Sequence, residues 1–209
     1  MTNPSYVNAG TLALIQREYA HSTEDFILHF KNAYSNPYPP AWILSEILPF
    51  GNITWIFRNL SPAHKKAVSK KFFLHAPVLE SWMNVVTLTR NSCCHHARVW
   101  NKVNSIIPNN MAGMTRPWID PATDKRRAYY NICIIKYFLD IISPNNDFKE
   151  KLQALFTSFP EIDLKAMGFN SHWETEPLCM SSLSRDCREM LNFSRQSLLN
   201  DAEPHENSK

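Results

Sequence analysis

The chain has 209 residues, of which 44% are hydrophobic and 12% aromatic, so it carries enough apolar surface for a folded core and is not a disordered segment. With 4 glycines against 14 prolines, the composition disfavours glycine-rich phosphate-binding loops and favours helices separated by proline-containing breaks. The formal net charge of +3 permits a polyanionic partner but does not require one.

The first third of the chain predicts a series of short helices, because apolar residues recur at helical spacing between capping residues and prolines. In chain order the predicted helices are residues 8–20, a segment that starts at 22–25 and stops at 36–40, residues 41–48, a segment capped by Asn52, and a basic segment that opens at Ser61-Pro62 and carries Lys65 and Lys66.

The rest of the chain continues this pattern, with almost no alternation typical of strands. It predicts a long central helix at 78–103, a loop at 104–119, a helix at 121–142 capped by Asp120, a helix around 148–156, and a short helical turn at 160–168 closed by Gly168. The predicted class is therefore all-α. Residues 1–180 are expected to form one helical domain and residues 181–209 a polar tail.

Cysteine usage and hydropathy indicate a soluble cytoplasmic protein. The five cysteines are odd in number and two of them, Cys93 and Cys94, are adjacent, so no disulfide framework is suggested. The N-terminus lacks the basic and apolar regions of a secretory signal. The longest apolar runs fall short of the roughly 20 residues that a membrane span needs.

The segment from Arg90 to Asn101 concentrates polar chemistry near the middle of the predicted central helix. The run Cys93-Cys94-His95-His96 contains possible zinc ligands, but neighbouring side chains on a helix diverge by about 100° and cannot converge on one ion. A cysteine nucleophile beside a histidine is a second reading, although helical cysteines more often pack as small core residues. No metal or other cofactor is predicted.

A third reading is acid–base chemistry on RNA. On a continuous helix Asn91, His95 and Arg98 share a face, and the long Arg90 side chain can reach the same phosphate. Histidine exchanges protons near neutral pH, arginine holds a phosphate with two hydrogen bonds, and RNA supplies its own 2′-hydroxyl nucleophile. Spacing alone leaves open a plainer reading, in which Arg90 and His95 are surface residues and His96 is a hydrogen-bonded core histidine.

The run from Arg90 to Asn101 resembles the signature of the Abi-like (abortive infection, AbiD/AbiF-type) proteins of the HEPN superfamily. Ribonuclease members of that superfamily carry an arginine followed a few residues later by a histidine. Segments at 24–30, 40–51, 79–84 and 167–173 also resemble the family, so the likeness covers roughly residues 20–180.

The resemblance implies a HEPN-like helical bundle with additional C-terminal helices and a phage-defence or toxin-like role. It also implies a metal-independent endoribonuclease, whose site forms where two protomers bring their motifs together. In this chain Arg90 and His95 match the catalytic pair and Asn91 a supporting polar position. His96 and Arg98 match the signature without a defined role.

Residues outside the core motif are further candidates. Lys102, Lys65 and Lys66 are candidate phosphate contacts, although a lysine-rich helix is usually a solvated face. Glu46 is a candidate polar partner from a neighbouring helix, and could equally cap a helix or face solvent. The expected partners are RNA, a second copy of the chain and an RNA or protein antitoxin.

Two departures from the family and two rival functions remain open. The N-terminus is shorter than in the members used for comparison, and the Ser92-Cys93-Cys94 spacer is not the common one. The first rival is a module that binds RNA or a partner without cutting. The second is a structural role, in which the Arg–Asn–His row joins two protomers.

Overall fold

The computed structural model describes residues 9–110 and 118–180, and within those ranges all regular structure is helical, which confirms the predicted all-α class. A 3-10 turn, Trp173–Thr175, precedes the last described helix. The helices are α1 (Ala9–His21), α2 (Asp25–Ala33), α3 (Ala41–Ile47), α4 (Phe50–Arg58), α5 (Pro62–Lys71), α6 (Ala76–Cys94), α7 (Ala128–Ile142), α8 (Phe148–Ser158) and α9 (Pro177–Met180).

Helix α6 is the central element, since α4, α5 and α7 all pack against it. Its first half buries one apolar stripe, whereas none of the side chains from 86 to 94 is buried. The stripe consists of Val78, Leu79, Trp82 and Val85. The helix is therefore fixed in the core at its N-terminal end and carries its C-terminal end to the surface.

Helix α7 is buried along most of its length and contains an internal ion pair. Lys136 Nζ donates to both carboxylate oxygens of Asp140, at 2.9 and 2.8 Å, and Asn146 Nδ2 donates to Oδ1 of the same carboxylate at 3.0 Å. These contacts satisfy two buried charges that would otherwise be costly to remove from water. Helix α7 can therefore be polar at these positions and still pack in the core.

The central helix is shorter than the sequence predicts, because it ends at Cys94 rather than near residue 103. The apolar pattern continues through Val99, Trp100 and Val103, but Trp100 and Val103 are more than half exposed. Most helical stability in proteins comes from packing of an apolar face. No side chain between residues 86 and 107 is fully buried, so there is little apolar packing to extend the helix past Cys94.

Two other helix starts are corrected by the structure. Helix α7 begins at Ala128, seven residues after the predicted start, because the side chain of Asp120 accepts from the backbone N–H of Ala122 at 2.8 Å and that of Asp124 from Arg126 at 2.9 Å. These local bonds favour turns over helix. Helix α4 begins at Phe50, so the predicted cap at Asn52 lies inside its first turn.

Several local predictions are confirmed. The side chain of Ser61 caps α5 by accepting from the backbone N–H of His64, with Pro62 at the first helical position. Gly168 closes the 160–168 segment with φ of 91°, although that segment forms turns rather than helix. Residues 111–117 of the predicted loop and the predicted tail at 181–209 lie outside the described residues. No described helix combines the length and hydropathy needed to cross a membrane.

Candidate active site

The surface end of α6 brings Arg90, Asn91 and His95 together. Arg90 is exposed, and its Nη1 donates to Asn91 Oδ1 at 3.2 Å. His95 follows the last helical residue, and its backbone N–H donates to the carbonyl of Asn91 at 3.0 Å. The three predicted catalytic residues therefore occupy one helical turn and its cap, with the imidazole of His95 exposed.

His96 reverses the chain direction at the end of α6. Its φ is 52°, in the left-handed region, and its N–H donates to the carbonyl of Cys93 at 3.1 Å. The next N–H, of Ala97, donates to the carbonyl of Ser92 at 2.8 Å. This is the Schellman arrangement that ends many helices. Arg98 therefore leaves the helical face that the sequence predicts it shares with Asn91 and His95.

Replacing His96 with glycine is expected to stabilise the fold by about 0.5–1 kcal/mol, because glycine adopts positive φ without steric cost. The measurement is the free energy of unfolding from urea denaturation. His96→Val is the control, since a β-branched side chain at this φ should destabilise. A glycine variant less stable than wild type would show that the His96 side chain makes a stabilising contact.

The loop that follows the motif contacts a basic segment, residues 125–127, which is not among the site residues predicted from the sequence. Asn104 N–H donates to the carbonyl of Arg126 at 2.8 Å, and Arg127 Nη1 donates to Asn101 Oδ1 at 3.4 Å. The run Lys125-Arg126-Arg127 therefore lies beside the end of the motif. Three consecutive cationic residues can be seen in the sequence as a possible phosphate-binding segment, but only the fold shows which loop this segment contacts.

The segment from Leu88 to Asn104 has no acidic residue and carries Arg90, Arg98 and Lys102, all of them exposed. In the described part of the chain, none of these three cations takes part in an ion pair. These three cations give this surface an excess of positive charge, and the nearby run 125–127 adds to it, although Arg127 pairs with Asp124 at 3.6 Å. Such a surface favours a phosphate-bearing ligand.

The other predicted contacts lie elsewhere. Lys65 Nζ pairs with Glu80 at 3.3 Å. Because Glu80 precedes Arg90 by ten residues on α6, this pair lies about 15 Å along the helix axis from Arg90. Lys66 is exposed on α5. Glu46 lines a surface cleft with Glu18, on α1, rather than with any residue of the motif.

The described cysteines differ in burial. Cys93 and Cys94 are exposed, whereas Cys133 is buried, and this burial raises the pKa of its thiol well above the usual value. A thiol that resists ionisation is a poor nucleophile, so Cys133 is a core residue. Across residues 9–110 and 118–180, no three His, Cys, Asp or Glu side chains cluster closely enough to hold a metal ion.

Comparison with known proteins relates the chain to one family. Residues 2–101 match the model of the family described as Abi-like protein. The match begins nearer the N-terminus than the resemblance in the sequence suggests and stops at 101, so it contains α1–α6 and the motif from Arg90 to Asn101. No curated protein and no solved structure matches the chain. Over residues 2–101, the chain is similar to the Abi-like protein family.

Proposed function

We propose that this protein acts in abortive infection, a phage-defence response, as an endoribonuclease that cleaves RNA without a metal ion. In the proposed reaction, the 2′-oxygen of a ribose loses its proton and attacks the adjacent phosphorus. The bond from phosphorus to the 5′-oxygen breaks, and that oxygen takes up a proton. The products carry a 2′,3′-cyclic phosphate and a 5′-hydroxyl. The match of residues 2–101 to the Abi-like family supports the biological role, and the motif supports the chemistry.

The observation that carries the proposal is the arrangement of Arg90, Asn91 and His95 on one exposed helix end. His95 is assigned as general acid or base and Arg90 as the residue that holds the scissile phosphate. The bond from Arg90 to Asn91 Oδ1 restricts the guanidinium while leaving other N–H donors for a phosphate. Asn91 is therefore assigned a positioning role.

A phosphate bound at this end of α6 needs nearby positive charge. A helix C-terminus carries partial negative charge, which disfavours a phosphate by roughly 0.3–1 kcal/mol. A charge-assisted hydrogen bond contributes about 1.5–3 kcal/mol. Arg90 alone therefore outweighs the unfavourable dipole, and Arg98 and Lys102 add to the attraction. The proposed roles of Lys65, Lys66 and Glu46 receive no support from their positions.

We also propose that two copies of the chain form the site, because cleavage uses both a base and an acid, and each protomer carries one His95. The test unfolds wild-type protein together with an equal amount of His95→Ala protein and refolds the mixture. If each site needs His95 from both protomers, only wild-type dimers are active, so cleavage should fall to about half of that given by the same amount of wild-type protein refolded alone, since half of the wild-type chains pair with the variant. Unchanged cleavage contradicts a shared site.

The experiment that tests the activity itself incubates wild-type protein with end-labelled RNA in excess EDTA. The expected result is cleavage with 2′,3′-cyclic phosphate ends. Cleavage that needs added divalent metal, or leaves 3′-hydroxyl ends, would contradict the proposed mechanism.

A toxin-like activity of this kind would need restraint in the cytoplasm, so an RNA or protein antitoxin is part of the proposal.

A second candidate function is RNA binding without cleavage. The basic run 125–127 beside the motif favours it, because cations in a loop bind phosphates without any need for acid–base groups. In the same experiment, RNA that is retained by the protein and stays intact would select this function over the ribonuclease.

A further inference from the structure

A cavity of about 90 Å³ lies directly behind the motif, between α6, the loop that follows it and α7. Its volume is well below the roughly 300–1,000 Å³ of a typical small-molecule site, so it accommodates part of a ligand rather than a whole one. Four of its lining residues are apolar: Val85, Leu88, Val99 and Ile106.

The polar part of the lining comes from three segments of the chain. Ser92 lies on α6, two residues after Arg90. Lys102 and Ser105 are exposed and belong to the following loop, so the cavity opens to solvent on that side. Asn131 contributes the α7 wall. Apolar surface combined with a few polar groups suits the faces and edge of a planar heteroaromatic ring.

Asn131 is the lining residue with the most specific chemistry. It is a neutral amide and only 6% exposed, on a helix whose buried charges, Lys136 and Asp140, pair with each other. Its Nδ2 donates to Thr89 Oγ1 at 3.1 Å, and Thr89 Oγ1 donates to the carbonyl of Val85 at 2.9 Å. No hydrogen bond to Asn131 Oδ1 is present among the described residues. The amide is thus held in one orientation with acceptor capacity left on the cavity wall.

We propose that this cavity receives one base of the RNA cut at the motif and that Asn131 reads the edge of that base. The inference rests on the proposed ribonuclease function. An amide presents a donor and an acceptor side by side, which matches the edge of a nucleobase, and RNA-binding proteins commonly read single-stranded bases splayed out of the stack. Lys102, at the opening, contacts the phosphate of the same nucleotide. The protein is therefore selective for a base beside the cleaved bond.

The test sequences the ends produced from an RNA pool randomised at one position within a single-stranded region. Wild-type protein is expected to favour one base over the least favoured by about tenfold or more, the discrimination of a good amide–base contact. In Asn131→Leu, which keeps the size of the side chain but removes its polarity, the ratio should fall to within about threefold. The ratio is informative even if the total rate changes. Asn145→Leu, the same change at an exposed position, should keep the wild-type ratio.

A second variant, outside α7, tests the pocket independently in case the substitution in α7 disrupts folding. Ser105→Phe places a ring at the exposed opening of the cavity and should also reduce the ratio. Wild-type cleavage without base preference, or a preference that survives in both variants, would overturn the base pocket while leaving the ribonuclease intact. Absence of any cleavage by wild-type protein would instead contradict the proposed function, and the pocket assignment with it.

Discussion

Replacing His95 with alanine is expected to reduce RNA cleavage by about 10²–10⁴-fold, the usual contribution of a positioned general acid or base. The free energy of unfolding should stay within about 0.5 kcal/mol of the wild-type value, as for most surface substitutions. The imidazole is exposed, and the bond that ends α6 comes from the backbone N–H of His95 rather than from its side chain. The change therefore removes a proton carrier without removing a structural contact.

The measurement combines single-turnover cleavage of labelled RNA in EDTA with urea denaturation of the same preparations. His29→Ala is the matched control, because His29 is an exposed histidine on α2, outside the motif, and should leave cleavage unchanged. Arg90→Lys is measured in the same assay and should slow cleavage, since lysine keeps the positive charge but cannot make two parallel hydrogen bonds to a phosphate. Wild-type cleavage rates in the His95→Ala protein would remove the acid–base assignment.

Replacing Trp82 with alanine is expected to lower the free energy of unfolding by about 3–5 kcal/mol, the usual cost of removing a fully buried aromatic side chain. The Trp82 side chain has no exposed surface. Its ring stacks on Trp118 with centroids 4.8 Å apart and meets Tyr137 edge-on at 5.2 Å. Its Nε1 donates to the carbonyl of Asn109 at 3.1 Å, so the change also leaves a carbonyl without its partner.

Urea denaturation followed by circular dichroism measures this loss, and Trp100→Ala provides the matched control. Trp100 is 54% exposed, so the same change there should cost less than about 1 kcal/mol. Trp82→Phe should fall between the two, because phenylalanine keeps a ring but loses volume and the N–H donor. Equal losses at Trp82 and Trp100 would contradict the position of the core.

The substitutions at Trp82 and His95 test two different parts of α6. Trp82 lies in the buried half of the helix, whereas His95 caps the end that reaches the surface, thirteen residues and about 20 Å further along. Damage at Trp82 is expected to lower activity through the population of folded protein, whereas damage at His95 should act on chemistry alone. Measuring both stability and cleavage for each variant distinguishes these routes.

The sequence by itself determined the features that depend on neighbouring residues. The all-α class, the positions of α1 and α3, and the start of α5 at Ser61-Pro62 follow from helical spacing, capping residues and proline. The motif at Arg90, Asn91 and His95 was also visible, since residues four apart remain neighbours on the last turn of a helix. The helical pattern failed one turn later, because Trp100 and Val103 are more than half exposed and do not pack in the core.

Only the tertiary structure decided which distant segments meet at the motif. The loop containing Arg126 and Arg127 reaches Asn104 and Asn101 across more than twenty residues, and Asn131 on α7 completes the cavity behind the motif. The same packing pairs Lys65 with Glu80. Periodicity and capping record interactions within a few residues, whereas these contacts depend on how α6 and α7 bury their faces against each other.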